Sequence, residues 1–363
     1  MGLSQASPGQ SPTRSGVGRI ALAIAGVLVF ILALWLLKKG ASGLRPLMDH
    51  LQVSGMVNTL GFGWLMAYVV LSGSPVAAIS LTLFGGQLLS GVETFAMITG
   101  SRLGASFIVL FVGFIYWLRG KQRVSSVSIG VLSLLVTATI YVPALGLGYL
   151  ALNSHWLDGV RAGSGPQMTS FVAAAYDPIV NFVAKQLHLP NLLIFILGIG
   201  TLLAAFKVFD QALPEIDPNS TRFSRVTELV YRPIVMVLLG AGITLITLSV
   251  SVSISLLVPL AVKGYIRREN IIPYIIGANV TTFIDTLLAA LLIPQPPGQP
   301  SAFLIVLTEV VSVTAISIAA LALNYSFYQR TIERVLELIV RDNRSLAVFV
   351  GLSLIIPIIL LLV

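Results

Sequence analysis

From Ile20 to Leu37 the chain carries no charged residue, and the only polar side-chain atom is the Trp35 indole nitrogen. Runs of this kind return along most of its 363 residues. A stretch so apolar has few folding options. In a hydrocarbon environment every backbone N–H and C=O must be satisfied internally, which leaves helices or a closed barrel. The runs are roughly 20 residues long and lack the period-two alternation of a barrel strand, so they read as membrane helices. Composition agrees. Hydrophobic residues make up 56% and charged residues 10%, against about 25% charged in a soluble domain.

Several functional classes drop out early. The chain has no cysteine, so neither disulfides nor thiolate chemistry are available. His50, His155 and His188 are far apart and form no metal-ligand spacing. No nucleophile–base pair or metal constellation appears, so enzymatic activity is not expected. The net charge of +8 reads as basic loops held on the cytoplasmic side, not as a nucleic-acid surface. A secretory signal is the rival reading of Ile20–Leu37, because Arg14 and Arg19 precede it. The run exceeds the roughly 7–15 residues of a signal core and ends on Lys38-Lys39, so it is expected to remain as a helix.

Residues 1–17, rich in Ser, Pro and Gly, read as a disordered tail. A first transmembrane unit covers 18–151. It holds helix 20–37, an interfacial helix within 40–55, and short pieces 56–72 and 74–90 broken by Ser72-Gly73-Ser74-Pro75. Helices 92–118 and 124–151 complete it. A polar loop with an amphipathic stretch, 152–190, is assigned outside the cell. The second unit, 191–328, holds helix 191–209, a charged linker at 210–232 and pieces 233–248 and 250–266. Helices 270–293 and 301–323 follow. The remainder, 329–363, comprises most of a basic amphipathic stretch at 328–344 and a last helix at 345–363.

A shift of 177 residues superposes the two units without a gap. Leu71-Ser72-Gly73-Ser74 falls on Leu248-Ser249-Val250-Ser251, and Gly100-Ser101-Arg102-Leu103 on Gly277-Ala278-Asn279-Val280. Gly63 falls on Gly240, Leu83 on Leu260 and Ile98 on Ile275. The helix–hairpin–helix core of each unit makes an even number of crossings, and helix 124–151 adds one more. The second unit therefore enters from the opposite side. Most Lys and Arg residues fall on the cytoplasmic side if the N-terminus is inside, among them Arg119, Lys121, Arg123, Arg222, Arg225, Arg232, Lys263, Arg267, Arg268, Arg330, Arg334, Arg341 and Arg344. Lys38, Lys39 and Arg45 oppose that orientation and are outnumbered. Inverted repeats with Ser/Gly-interrupted segments at matching positions are a signature of secondary transporters, whose sites lie near the midplane between the breaks.

The run Ser249-Val250-Ser251-Val252-Ser253, followed by Ile276-Gly277-Ala278-Asn279-Val280-Thr281-Thr282, resembles the type II sodium–phosphate cotransporter family in spacing and partly in letters. That family carries a duplicated Gln-Ser-Ser-Ser stretch, each copy followed by a Gly-Ala-Asn-like motif. The first copy here, Ser72-Gly73-Ser74-Pro75 with Gly100-Ser101-Arg102-Leu103-Gly104-Ala105-Ser106, is more worn. No glutamine precedes either cluster, and Arg102 stands where the other copy has Asn279. The resemblance covers most of 40–325. It implies an inverted-repeat symporter of inorganic phosphate with sodium as coupling ion, and it places Asn279 at the centre.

Ser249, Ser251, Ser253 and Ser255 alternate with apolar residues. In an extended break their hydroxyls would share one side, and in a helix they would spread around it. With Ser72, Ser74 and Ser101 they offer hydroxyls to an anion and oxygen ligands to sodium. The competing reading is helix packing or bonds to the backbone one turn back. Arg102, about 13 Å into its helix at 1.5 Å per residue, is either an anion fork or the ion-pair partner of Asp285 or Glu309. Thr281, Thr282, Asp285 and Glu309 are candidate sodium ligands, and the two carboxylates are equally candidate proton carriers. Glu93 is expected at a solvated hairpin end. The stretch 328–344 is expected to lie on anionic lipid. The function expected is sodium-coupled phosphate uptake by alternating access in a plasma or bacterial inner membrane. A different anion, proton coupling, or a non-transporting scaffold that kept the fold are the alternatives.

Overall fold

The computed structural model describes residues 16–118, 123–154, 156, 166–186, 189–212, 232–258 and 270–363, and every regular element among them is helical. Seven helical segments are long and apolar enough to cross a membrane: Gly18–His50, Gly91–Ile115, Val127–Asn153, Asn191–Phe209, Ile271–Leu292, Ala302–Ala322 and Asn343–Leu362. The chain is an all-α, multi-pass membrane protein. Of the expected tail, residues 1–15 lie outside the described residues, while Gly16 and Val17 already belong to the first helix. Also outside are His155, His188, Arg119, Lys121, Arg222, Arg225, Lys263, Arg267, Arg268 and the returning limb of the second hairpin past Val258.

Helix α1 (Gly16–Gly40) passes through a short 3-10 turn, Ala41–Leu44, into α2 (Arg45–His50). The helix expected within 40–55 is thus only these two short pieces, because Gln52 and Gly55 take positive φ and turn the chain. The first hairpin is α3 (Met56–Val70) and α4 (Gly73–Gly85), followed by α5 (Gly91–Leu118), α6 (Arg123–Asn153), α7 (Pro166–Gln186) and α8 (Asn191–Ala212). The second hairpin begins with α9 (Pro233–Thr247) and α10 (Val250–Ser255). Then come α11 (Ile271–Thr281), α12 (Ile284–Leu292), α13 (Ala302–Ala322), α14 (Tyr325–Val340) and α15 (Asn343–Leu362).

Both hairpins turn in the same way. Leu71 closes α3 in the left-handed conformation, φ 54° and ψ 31°, and Ser72 is extended. Leu248 closes α9 with φ 50° and ψ 20°, and Ser249 is extended. A left-handed leucine is disfavoured because its Cβ crowds the following carbonyl oxygen. Two of them, 177 residues apart and each followed by an extended serine, are a shared device.

The close helix contacts recur at the same interval. A Cβ on Gly63 would sit 2.2 Å from the Met97 carbonyl oxygen, and one on Gly100 would sit 2.1 Å from that of Leu60. A Cβ on Gly240 would meet the Tyr274 oxygen at 2.0 Å, and one on Gly277 the Val237 oxygen at 2.0 Å. Each glycine is there because backbone passes directly against backbone. These contacts, with Gly104 on Trp64 and Thr281 bonded to the Ala241 carbonyl, make α3 run parallel to α5 and α9 parallel to α11. Helix α6 runs antiparallel to α5, with Gly130 on Leu110 and Gly148 on Phe95. It runs parallel to α11–α12, with Asn279 bonded to Thr137 and Tyr141 stacked near Phe283. The α3–α5 pair therefore points opposite to the α9–α11 pair. Helices α1 and α8 also pack antiparallel, Gly26 against Phe209 and Gly40 against Phe195.

One expected helix is interrupted. Segment 270–293 divides at Thr282 and Phe283, which keep negative φ but flatten to ψ −8° and 0°. Arg102 from α5 reaches this junction, and its equivalents in the first half stay within one continuous helix. Glu93 stands half-buried at the end of the hairpin loop and has a structural role there. Its carboxylate accepts from the backbone N–H of Gly55 and of Ser90, both at 2.7 Å, while Ser90 Oγ accepts from its own N–H. That is a capping box starting α5, with one oxygen tying down the preceding loop. The basic stretch 328–344 splits between α14 and α15, because Asp342 caps α15 by accepting from Ser345 N at 2.8 Å.

Candidate functional site

The two hairpin tips meet. Ser74 Oγ donates to the Leu248 carbonyl at 3.4 Å, and Ser251 Oγ donates to the Ala105 carbonyl on α5 at 3.0 Å. Together with α5 and α8, the tips line a partly open cavity of about 570 Å³. Its hydroxyls come from Ser72, Ser74, Thr247, Ser249, Ser251 and Ser255, and its apolar wall includes Pro75, Ile108, Val112, Leu203, Phe206 and Phe209. A cavity of this size with a few convergent polar groups is the usual form of a small-molecule site.

The serines of the second tip do not share one side. Only Ser249 is extended, where it accepts from Val252 N–H at 3.3 Å and starts α10. From Val250 the chain is helical, so the later hydroxyls spread. Ser251 faces α5 and Ser255 lines the cavity, while Ser253 turns away to pair with the Tyr274 hydroxyl at 2.8 Å. Ser101 is buried and donates to the Ile98 carbonyl of its own helix at 2.7 Å.

Lys207 on α8 also lines this cavity and has no ion-pair partner among the described residues. It was not singled out from the sequence. Its signal was available, since it is the only charged residue in the apolar stretch 191–209. An ionisable side chain within an apolar span marks a functional candidate.

Arg102 is only 1% exposed and sits beside the cavity, not on its wall. Its Nη1 donates to Ser74 Oγ and Thr282 Oγ1, both at 3.3 Å, and its Nη2 donates to Thr286 Oγ1 at 2.6 Å. Nη2 lies 3.8 Å from Asp285 Oδ1, and the guanidinium carbon stands 4.9 Å from the centre of the Phe283 ring. Thr286 bridges the pair, because its hydroxyl and its N–H both donate to Asp285 Oδ1, at 2.9 and 2.6 Å. Within this cluster two buried atoms have no hydrogen-bond partner: Arg102 Nε and Asp285 Oδ2. Of the two expected carboxylate partners, Asp285 is therefore the one paired with Arg102.

The remaining candidates fall elsewhere. Glu309 is 1% exposed, and its two oxygens lie 2.8 and 2.9 Å from Thr99 Oγ1. No cationic side chain among the described residues pairs with it. Asn279 Nδ2 donates to Thr137 Oγ1 at 3.2 Å, and its carbonyl accepts from Tyr141, so it faces α6 and not the cavity. Thr281 Oγ1 donates to the Ala241 and Gly277 carbonyls, which is a packing role. Thr282 alone of the two threonines joins the Arg102 cluster. No group of three His, Asp or Glu suited to a transition metal occurs among the described residues.

Searches against protein families, curated proteins and solved structures return no match.

Proposed function

We propose that the chain is a secondary active transporter that carries inorganic phosphate across a cell membrane in symport with sodium. One observation carries the reading. Two oppositely directed hairpins, each broken at a left-handed leucine and an extended serine, bring their tips together on a hydroxyl-lined cavity. Taken with the 177-residue correspondence, the halves read as inverted repeats. A break shared by both repeats frees backbone groups where only a cavity can use them. Lysine is what selects an anion for that cavity. The Lys207 ammonium supplies charge, the serine hydroxyls donate to phosphate oxygens, and carbonyls freed at the breaks are hard oxygen ligands for sodium. The spacing of the second serine run and its Gly-Ala-Asn stretch, similar to type II sodium–phosphate cotransporters, supports the same substrate.

The test is uptake of labelled phosphate into proteoliposomes, driven by an inward sodium gradient. A charge-assisted hydrogen bond is worth about 1.5–3 kcal/mol. Lys207→Gln should then raise half-saturating phosphate about tenfold to a hundredfold with protein levels unchanged. Transport of no anion under any gradient would leave the scaffold alternative standing.

A second reading concerns coupling alone. Glu309 is buried with hydroxyl contacts and no cation, so it must carry a proton or recruit a positive ion. Uptake that follows a proton gradient in sodium-free buffer would assign coupling there.

A further inference from the structure

We infer that Arg102 is a resident cation. Its guanidinium fills an oxygen-lined cation position between the halves, so no soluble ion binds at Asp285 in the native protein. The position is built from Ser74 Oγ of α4, Thr282 and Thr286 Oγ1, and the Asp285 carboxylate. Three hydroxyl oxygens and a carboxylate are a ligand set for a hard monovalent cation. They are all buried or nearly so, and Asp285 is 6% exposed with Oδ2 lacking any hydrogen-bond partner. A carboxylate so placed requires a positive charge. The one it has is imperfectly fitted. The Nη2–Oδ1 separation is 3.8 Å and Arg102 Nε is also unpartnered, where a fork matched to a carboxylate would make two short parallel bonds. The guanidinium meets the oxygens one contact at a time, as a bound ion would.

The symmetry-related position, also built from both halves, supplies the control. At the 177-residue interval Arg102 corresponds to Asn279, and Thr282, Asp285 and Thr286 correspond to Ala105, Ile108 and Val109. The symmetry-related position, formed by Asn279 with Ala105, Ile108 and Val109, therefore lacks the arginine, the carboxylate and both hydroxyls. There Ser251, the counterpart of Ser74, reaches the Ala105 carbonyl directly at 3.0 Å. At the Arg102 position the guanidinium stands between Ser74 and Thr282, the counterpart of Ala105. Charge, countercharge and threonine hydroxyls, drawn from both halves, therefore come as a set at one position and are all absent from its symmetry-related counterpart.

The role in coupling rests on the transport reading; the occupancy of the site does not. It is tested without transport, on purified full-length protein in detergent, by thermal unfolding in sodium, lithium or choline chloride at constant ionic strength. Arg102→Ala should gain a saturable rise in Tm with sodium or lithium that choline does not give, because a ligand bound only by the folded state stabilises it. Free guanidinium at low millimolar concentration should act likewise. Arg102→Ala/Asp285→Asn should show none of these responses. Arg102→Asn, which keeps more volume and uses the residue of the other half, is read in the same way. Equal Tm in sodium and choline for both single variants overturns the inference. So does recovery of the double variant where neither single variant can be recovered in any of these salts. Absence of phosphate uptake by the native protein, with the sodium response of Arg102→Ala present, would reject the transport reading and leave this one in place.

Discussion

Gly240 and Gly242 lie two residues apart on α9, yet they should respond oppositely to the same substitution. A Cβ at Gly240 would lie 2.0 Å from the Tyr274 carbonyl oxygen, while one at Gly242 meets nothing within 4 Å. Ordinary contact begins near 3.4 Å, so Gly240→Ala must push α9 and α11 apart by about 1.4 Å at the crossing, an overpacking that costs about 1–3 kcal/mol. The obstacle is backbone, so no side chain can swing aside. Gly242→Ala meets no obstacle and gains helix propensity of about 0.5–1 kcal/mol. The two variants should thus differ by about 1.5–4 kcal/mol. Thermal unfolding of both in one detergent measures this, with wild type between them. Gly63→Ala should behave like Gly240→Ala, since its Cβ would meet the Met97 oxygen at 2.2 Å. Equal stability for the Gly240 and Gly242 variants would refute the close-contact account and the matched geometry drawn from it.

Two further outcomes are expected. Glu309→Gln keeps the contact to Thr99 but cannot release a proton; uptake that persists with its proton dependence unchanged would remove Glu309 from coupling. The chain has no cysteine, so single cysteines report topology cleanly. One at position 297 should react with an impermeant external thiol reagent in intact cells and one at 342 should not, and the reverse result inverts the orientation.

The long helices and both hairpin breaks were legible because they depend on local pattern. Apolar runs fix the spans, and Ser72 and Ser249 mark the turns that the backbone takes there. The 177-residue correspondence was legible for the same reason: Gly63, Gly100, Gly240 and Gly277 are dictated by backbone contact, which tolerates no other residue. What could not be read is direction around a helix. The alternation of Ser249 to Ser255 fits an extended strand and a helix equally, and only the single extended residue at 249 decides it. The family resemblance placed Asn279 at the centre, but its side chain faces Thr137. The interruption at Thr282–Phe283 has no glycine or proline to announce it and coincides with a contact made from 180 residues away. Lys207 was legible in principle, as the only charged residue in 191–209, and was not singled out.

That interruption breaks an equality. In a strictly two-fold transporter, exchanging the conformations of the halves would convert one facing state into the other at no cost, so an unloaded protein would divide evenly between them. Here one half keeps α5 unbroken while its counterpart is divided into α11 and α12. On the transport reading the exchange then no longer returns the same molecule, and the two facing states would differ in free energy. A difference of about 1.4 kcal/mol already sets a tenfold preference. On the transport reading the empty carrier rests facing one compartment, and the substrate that finds it first is the one on that side.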